Sequence, residues 1–241
     1  MHTRIVLIEH ENGTGPQRFG RWLQDAGAQT EVIRPYKGEK VPEPETFLKG
    51  GDGLIVLGGA ASACEDAQNP WFRATKKLLV ASAEGCFPSL NICLGGQMLA
   101  VATGGGIRKR PHPQYGVYTI TPLASCEDDP VWSCLAPSTP VILYHGDEIL
   151  LPQGAILLAS GSDSPNQLFR IGRCAWGTQF HPESTGNQLA TWFASNQDAS
   201  VGSAEIVRAV KAHENEIETA MRPVAEAFVR YCREFREALV W

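Results

Sequence analysis

Four short apolar stretches in the first hundred residues, separated by segments of a different rhythm, narrow the folds open to this chain. Arg4 to Glu9 reads as a buried strand, and Thr30 to Ile33, Gly53 to Leu57 and Phe87 to Ile92 as three further strands. Between the first two, Phe19, Trp22, Leu23 and Ala26 share one helical face, and Gly27 is placed to end that helix. Pro70 to Ala83 reads as a second helix with its proline at the start, and Gly95 to Ala102 as a third. Tyr36 to Pro44 reads as a polar loop. Strand alternating with helix predicts parallel strands joined by right-handed crossovers. Such sheets bind ligands beyond the strand C-termini. Gly58-Gly59 and Cys93 both fall at strand ends, so they can share one crevice.

The pattern changes after Tyr115. Val117 to Thr121, Val141 to Tyr144, Ala155 to Ala159, Gln167 to Ile171 and Ala175 to Gln179 are short strands between turns, a pattern that predicts antiparallel pairing. Thr185 to Ala194 reads as a helix and Asn196 to Ser203 as a polar linker. Ala204 to Leu239 keeps helical periodicity, with a break expected near Arg222-Pro223. The expected fold is α/β: an open, mostly parallel sheet flanked by helices, with a smaller antiparallel portion and C-terminal helices. Residues 1–195 form the expected domain, and 196–241 a helical extension packed on it. That stripe reads as packing surface rather than a partner-binding face.

The chain has 241 residues and a net charge of −5, with charges interspersed. No basic stripe or arm is present, which argues against nucleic acid and an anionic membrane as partners. No apolar run approaches the roughly 18 residues of a membrane helix, and Met1 to Glu9 lacks signal-peptide anatomy, so a cytoplasmic protein is expected. The 7 cysteines show no CxxC spacing and read as free thiols. No metal is expected, because His112 and His213 lack ligand spacing. Gly13-Thr14-Gly15 reads as a plain loop, and no GxxxxGK[ST] occurs.

Taken singly, a cysteine is most often a small core residue. Cys93 stands apart because a strand delivers it to the turn that opens a helix. Unpaired N–H groups at a helix start favour an anionic sulfur. Gly95 and Gly96 would let the backbone turn tightly and admit a ligand. The N–H of Leu94 could face a developing oxyanion, with Gly59 as the natural second donor. Far along the chain, Pro182 biases His181 toward extended geometry, which puts Glu183 on the same side. Glu183 can then accept from one imidazole nitrogen while the other faces Cys93. His145 and Asp147 remain open between turn-forming and ligand roles, and Gly58-Gly59 between a turn and a site.

Together these segments resemble the class I, triad-type glutamine amidotransferases, most closely the glutaminase portion of the GMP synthase type and its stand-alone relatives. Leu57-Gly58-Gly59, the Cys93 elbow with Gly95 and Gln97, Tyr144-His145-Gly146-Asp147, and Gln179-Phe180-His181-Pro182-Glu183 occur in family order. The resemblance implies a flavodoxin-like sheet and a γ-glutamyl thioester at Cys93. It implies His181 as general base and acid, Glu183 orienting it, and an oxyanion hole from the N–H groups of Gly59 and Leu94. Gly58, Gln97 and the loop His145-Gly146-Asp147 would line the glutamine pocket. Ammonia would leave for a separate ATP-dependent synthetase or other acceptor enzyme, with no cofactor. One departure is Asn91, where the family usually has glycine; its side chain is expected beside the nucleophile, narrowing the pocket or retuning substrate choice. Two alternatives stay open: a hydrolase of another γ-glutamyl amide or peptide with the same triad, and a non-catalytic regulatory module. The filled triad counts against the second.

Overall fold

A computed structural model describes residues 3–48, 53–195 and 202–239. The first half alternates as the sequence predicts, apart from the short α2, which the sequence reading did not anticipate: β1 (Thr3–Ile8), α1 (Gln17–Asp25), β2 (Ala28–Ile33), α2 (Glu45–Leu48), β3 (Gly53–Val56), α3 (Phe72–Ala83), β4 (Ser89–Ile92) and α4 (Leu94–Ala102). Gly27 adopts φ +91° just past α1, the left-handed turn that ends a helix. The second half holds β5 (Gly106–Pro122), β6 (Thr139–Leu150), β7 (Ile156–Gly161), β8 (Leu168–Ile171), β9 (Ala175–Thr178), α5 (Gly186–Ser195) and α6 (Ser203–Leu239).

One 9-stranded sheet runs β2-β1-β3-β4-β9-β8-β7-β5-β6. Strands β2, β1, β3, β4 and β9 are mutually parallel, and every pairing from β9 through β6 is antiparallel. Strand β9 therefore departs from the antiparallel expectation on one edge, pairing parallel to β4 with Ser89 opposite Ala175. All its residues are buried, as a central strand covered on both faces requires. Strand β5 is far longer than Val117 to Thr121, because Pro111 and Pro113 fall in a register irregularity between Lys109 and Gln114. A proline is tolerated there because no ladder N–H is needed.

Alternate residues of the parallel strands feed two cores. Ile5, Leu7, Ile55, Leu57, Leu90 and Ile92 pack with Phe19 and Trp22 of α1 and with Val210, Ile217, Val224 and Phe228 of α6. Val6, Ile8, Leu54 and Val56 pack with Phe72 and Leu78 of α3 and Leu94 and Met98 of α4. Helix α6 runs unbroken through Pro223, contrary to the expected break. Pro223 and Thr219, whose carbonyl loses its partner, both lie on the exposed side where water can satisfy that group. Buried Met221 and Val224 on the opposite side hold the helix in place. Of the expected linker, 196–201 lie outside the described residues. Among the described residues no helix is long and apolar enough to cross a membrane. None of the seven cysteines forms a disulfide.

Helix α4 sits unusually close to the strands beneath it. A Cβ on Gly95 would stand 2.3 Å from the Val56 carbonyl oxygen, and one on Gly96 2.5 Å from that of Thr178. These glycines admit strand backbone rather than a ligand, a correction to the sequence reading. Neither oxygen can move without breaking the sheet. Gly95→Ala is expected to lower unfolding stability by about 1–3 kcal/mol, read as a lower urea midpoint at unchanged slope.

Candidate active site

Cys93 joins β4 to α4 with φ +49° and ψ −105°. A non-glycine residue there is strained by about 1–3 kcal/mol and persists only when its surroundings over-determine it. They do. The Cys93 N–H donates to the Thr178 carbonyl at 2.8 Å, and its own carbonyl accepts from the Gln97 N–H at 2.8 Å. The sulfur is nearly buried, with the Tyr144 carbonyl at 3.9 Å and the Gln179 side-chain amide donating to it at 3.8 Å.

His181 follows β9, the neighbour of β4, and its N–H donates to the Ile142 carbonyl of β6 at 2.9 Å. Its Nδ1 and Glu183 Oε1 are 2.7 Å apart, and the Ser184 hydroxyl donates to the same oxygen at 3.2 Å. The other ring nitrogen, Nε2, is buried. A Cβ on Gly58 would stand 2.8 Å from His181 Cε1 and 3.7 Å from Cys93 Cβ, so imidazole and thiol meet over this glycine. The Trp192 ring backs the imidazole at 4.9 Å. Burial opposes a charge on His181, but the Glu183 carboxylate and the Cys93 sulfur outweigh it and push the imidazole up to about 10. The residues expected as nucleophile, base and orienter are thus together.

A Cβ on Gly59 would stand 2.8 Å from Leu94 Cδ2, so the two expected oxyanion donors are neighbours. Glu11 holds the loop, accepting from the Ala60 N–H at 2.7 Å. Gln97 is buried, and its amide donates to the Asp147 carbonyl at 3.1 Å. The same oxygen is 2.8 Å from His145 Nδ1, which must therefore carry the proton. Burial pushes His145 down to about 4, leaving a neutral ring with an unpaired acceptor, Nε2.

Three sequence readings change here. His145-Gly146-Asp147 is not a loop but part of β6, paired with β5. Asp147 meets Gln97 through its backbone, while its carboxylate lies 3.7 Å from Lys109 Nζ. Asn91 does not stand beside the sulfur. Its amide donates to Ser89 Oγ at 2.9 Å and to the Trp176 carbonyl at 2.8 Å, and Ser89 is bonded to Ser82 of α3. The side chain is tied to the backbone of β9 and, through Ser89, to α3. Sequence reasoning also passed over Gln179 and Trp192. Gln179 was open to the alternation that paired His181 with Glu183; Trp192 came into reach only with the placement of α5. Among the described residues no cluster of three or more His, Cys, Asp or Glu could hold a metal ion.

The model of the family "Glutamine amidotransferase class-I" matches residues 17–197. The chain belongs to the class I glutamine amidotransferases. Among similar members, the glutamine-hydrolysing GMP synthase of Porphyromonas gingivalis is 29% identical over 198 residues, covering 81% of this chain and 36% of that protein. The chain thus spans little more than a third of such GMP synthases. A glutamine-hydrolysing GMP synthase subunit of Saccharolobus solfataricus is 31% identical over 159 residues, covering 65% of this chain and 77% of its own length. A glutamine amidotransferase from Thermotoga maritima shares the fold, with TM-score 0.82 at 23% identity over 95% of this chain and 99% of its own.

The three histidines buried among the described residues are shifted in opposite directions. His10 accepts from the Trp71 indole at 3.1 Å, and burial pushes it down to about 3. In NMR titrations of the imidazoles, His181 should stay protonated through pH 8, with His10 and His145 neutral down to about pH 5. Folding raises His181, so its share of stability is full below 6.5 and is lost as pH climbs toward 10. His10 and His145 are lowered, so the fold weakens as pH drops below 6.5.

Proposed function

We propose that this chain hydrolyses the side-chain amide of glutamine through a γ-glutamyl thioester at Cys93 and passes the ammonia to a separate acceptor enzyme. The observation that carries this reading is the single imidazole held by Glu183 on one side and meeting Cys93 over Gly58 on the other.

In this reading the Cys93 thiolate attacks the amide carbon of glutamine. The backbone N–H groups of Gly59 and Leu94 stabilise the oxyanion that forms. His181 gives its proton to the departing nitrogen, and ammonia leaves. The neutral imidazole then takes a proton from water, whose oxygen attacks the thioester; glutamate is released and the thiolate restored. Glu183 keeps the ring oriented throughout. Gly58, Gln97, His145, Gly146 and Asp147 border the pocket, with the acceptor nitrogen of His145 available to a substrate N–H. The names of the GMP synthase relatives support glutamine as substrate, and we propose an ATP-dependent synthetase as the acceptor. The case for another γ-glutamyl substrate drew in part on Asn91, which is turned from the pocket, and in part on the lack of a synthetase phosphate-binding motif among these residues. A non-catalytic module would have no use for a strained cysteine and a polarised imidazole in one crevice.

Purified protein given glutamine should release glutamate and ammonia in equal amounts. Cys93→Ala should lower that release by at least about a thousandfold, and a glutamine-mimicking diazoketone should add covalently at Cys93. Absence of both turnover and labelling, with or without a synthetase, would sink the proposal. Turnover of other γ-glutamyl amides but not glutamine would replace the substrate.

A further inference from the structure

The segment carrying Glu183 is gripped from outside the sheet by two helices, one of them beyond the residues that the family model matches. From α1, Arg18 reaches the Ser184 carbonyl with Nε at 2.9 Å and also with Nη2. Its Nη1 donates to the Glu214 carbonyl of α6 at 3.3 Å and lies 4.0 Å from the Glu218 carboxylate. From α6, Glu214 Oε1 accepts from the Gly186 N–H at 2.7 Å. Gly186 leaves no slack, since a Cβ there would stand 2.5 Å from Lys211 Cγ and 3.3 Å from the Val207 carbonyl oxygen. Ser184 closes the chain of contacts, because its hydroxyl donates to the Glu183 oxygen that faces His181.

The charges point the same way. Glu183 is buried, and its second oxygen, Oε2, has no hydrogen bond among the described residues. A buried carboxylate with one oxygen unpaired needs a cationic field. His181 supplies one only while protonated. Arg18 carries a permanent positive charge, and its electrostatic partners are Glu214, Glu218 and, least of the three, Glu183.

We infer that α6 is a working part of the site: Glu214, together with Arg18, is a positioning residue that holds Ser184 and Gly186 so that Glu183 aims the His181 ring at Cys93. This rests on the proposed hydrolysis for its kinetic readout but not for its chemical one. The test measures glutamine turnover and, separately, the rate of Cys93 alkylation by iodoacetamide near neutral pH, read by peptide mass. Glu214→Ala should lower kcat about tenfold with KM within about twofold, and slow alkylation about tenfold, at an unchanged melting temperature. Glu214→Gln keeps the acceptor oxygen and should restore both to within about twofold of the parent. Glu216→Ala, on the exposed side of the same helix, should match the parent. Arg18→Leu should lose more than Glu214→Ala; should it fail to fold, the Glu214 pair decides. Parental turnover and alkylation in Glu214→Ala would overturn the inference, as would failure of Glu214→Gln to rescue. Should the parent release no glutamate, the proposed function falls and the alkylation rates decide this inference alone.

Discussion

The structure depends on a backbone conformation that its residue does not favour. Cys93 sits at positive φ because α4 is pressed onto β3 and β9 closely enough that Gly95 and Gly96 have no room for a side chain. The energy that holds the turn comes from the surrounding sheet, through the Thr178 carbonyl and the helix bond from Gln97. The same packing aims the sulfur at the crevice and leaves the first N–H groups of α4 beside it. Loosening the helix by an ångström would change the turn, the sulfur and those donors together.

A second constraint is electrostatic. Burial works against charge on both imidazoles of the crevice, and the outcome is set by partners. His145 and His181 are both buried, yet His145 faces a carbonyl and is held neutral while His181 faces a carboxylate and is held charged. Two imidazoles in one crevice thus differ in protonation because one partner is a dipole and the other an ion.

Much of this was legible in the sequence. The strand–helix alternation gave β1 to β4 with α1, α3 and α4, because apolar runs and helical spacing are local signals; the four-residue α2 escaped. The juxtaposition of Cys93, His181 and Glu183 was legible because the proposed chemistry demands particular residue types at a strand end and at an i, i+2 spacing. What escaped depended on contacts distant in sequence. The pairing of β9 with β4 cannot be read from Ala175 to Thr178 alone. Pro111 and Pro113 concealed β5, because nothing local marks an irregularity that removes the need for their N–H groups. Pro223 suggested a break that the packing of Met221 and Val224 overrides. Asn91 was placed beside the sulfur, yet Ser89 and the Trp176 carbonyl hold it on the other face of the sheet.

The adjacency of β4 and β9 has a consequence for the newborn chain. Synthesis delivers the cysteine long before the imidazole that would activate it, and the two meet only when strands remote in sequence align side by side. Parallel pairing over such a separation is a late and slow event in folding. Until it happens, the emerging polypeptide carries an ordinary thiol, with no base to sharpen it and no crevice to shelter a reaction. Under the proposed mechanism, activation of the thiol would thus wait for completion of the sheet.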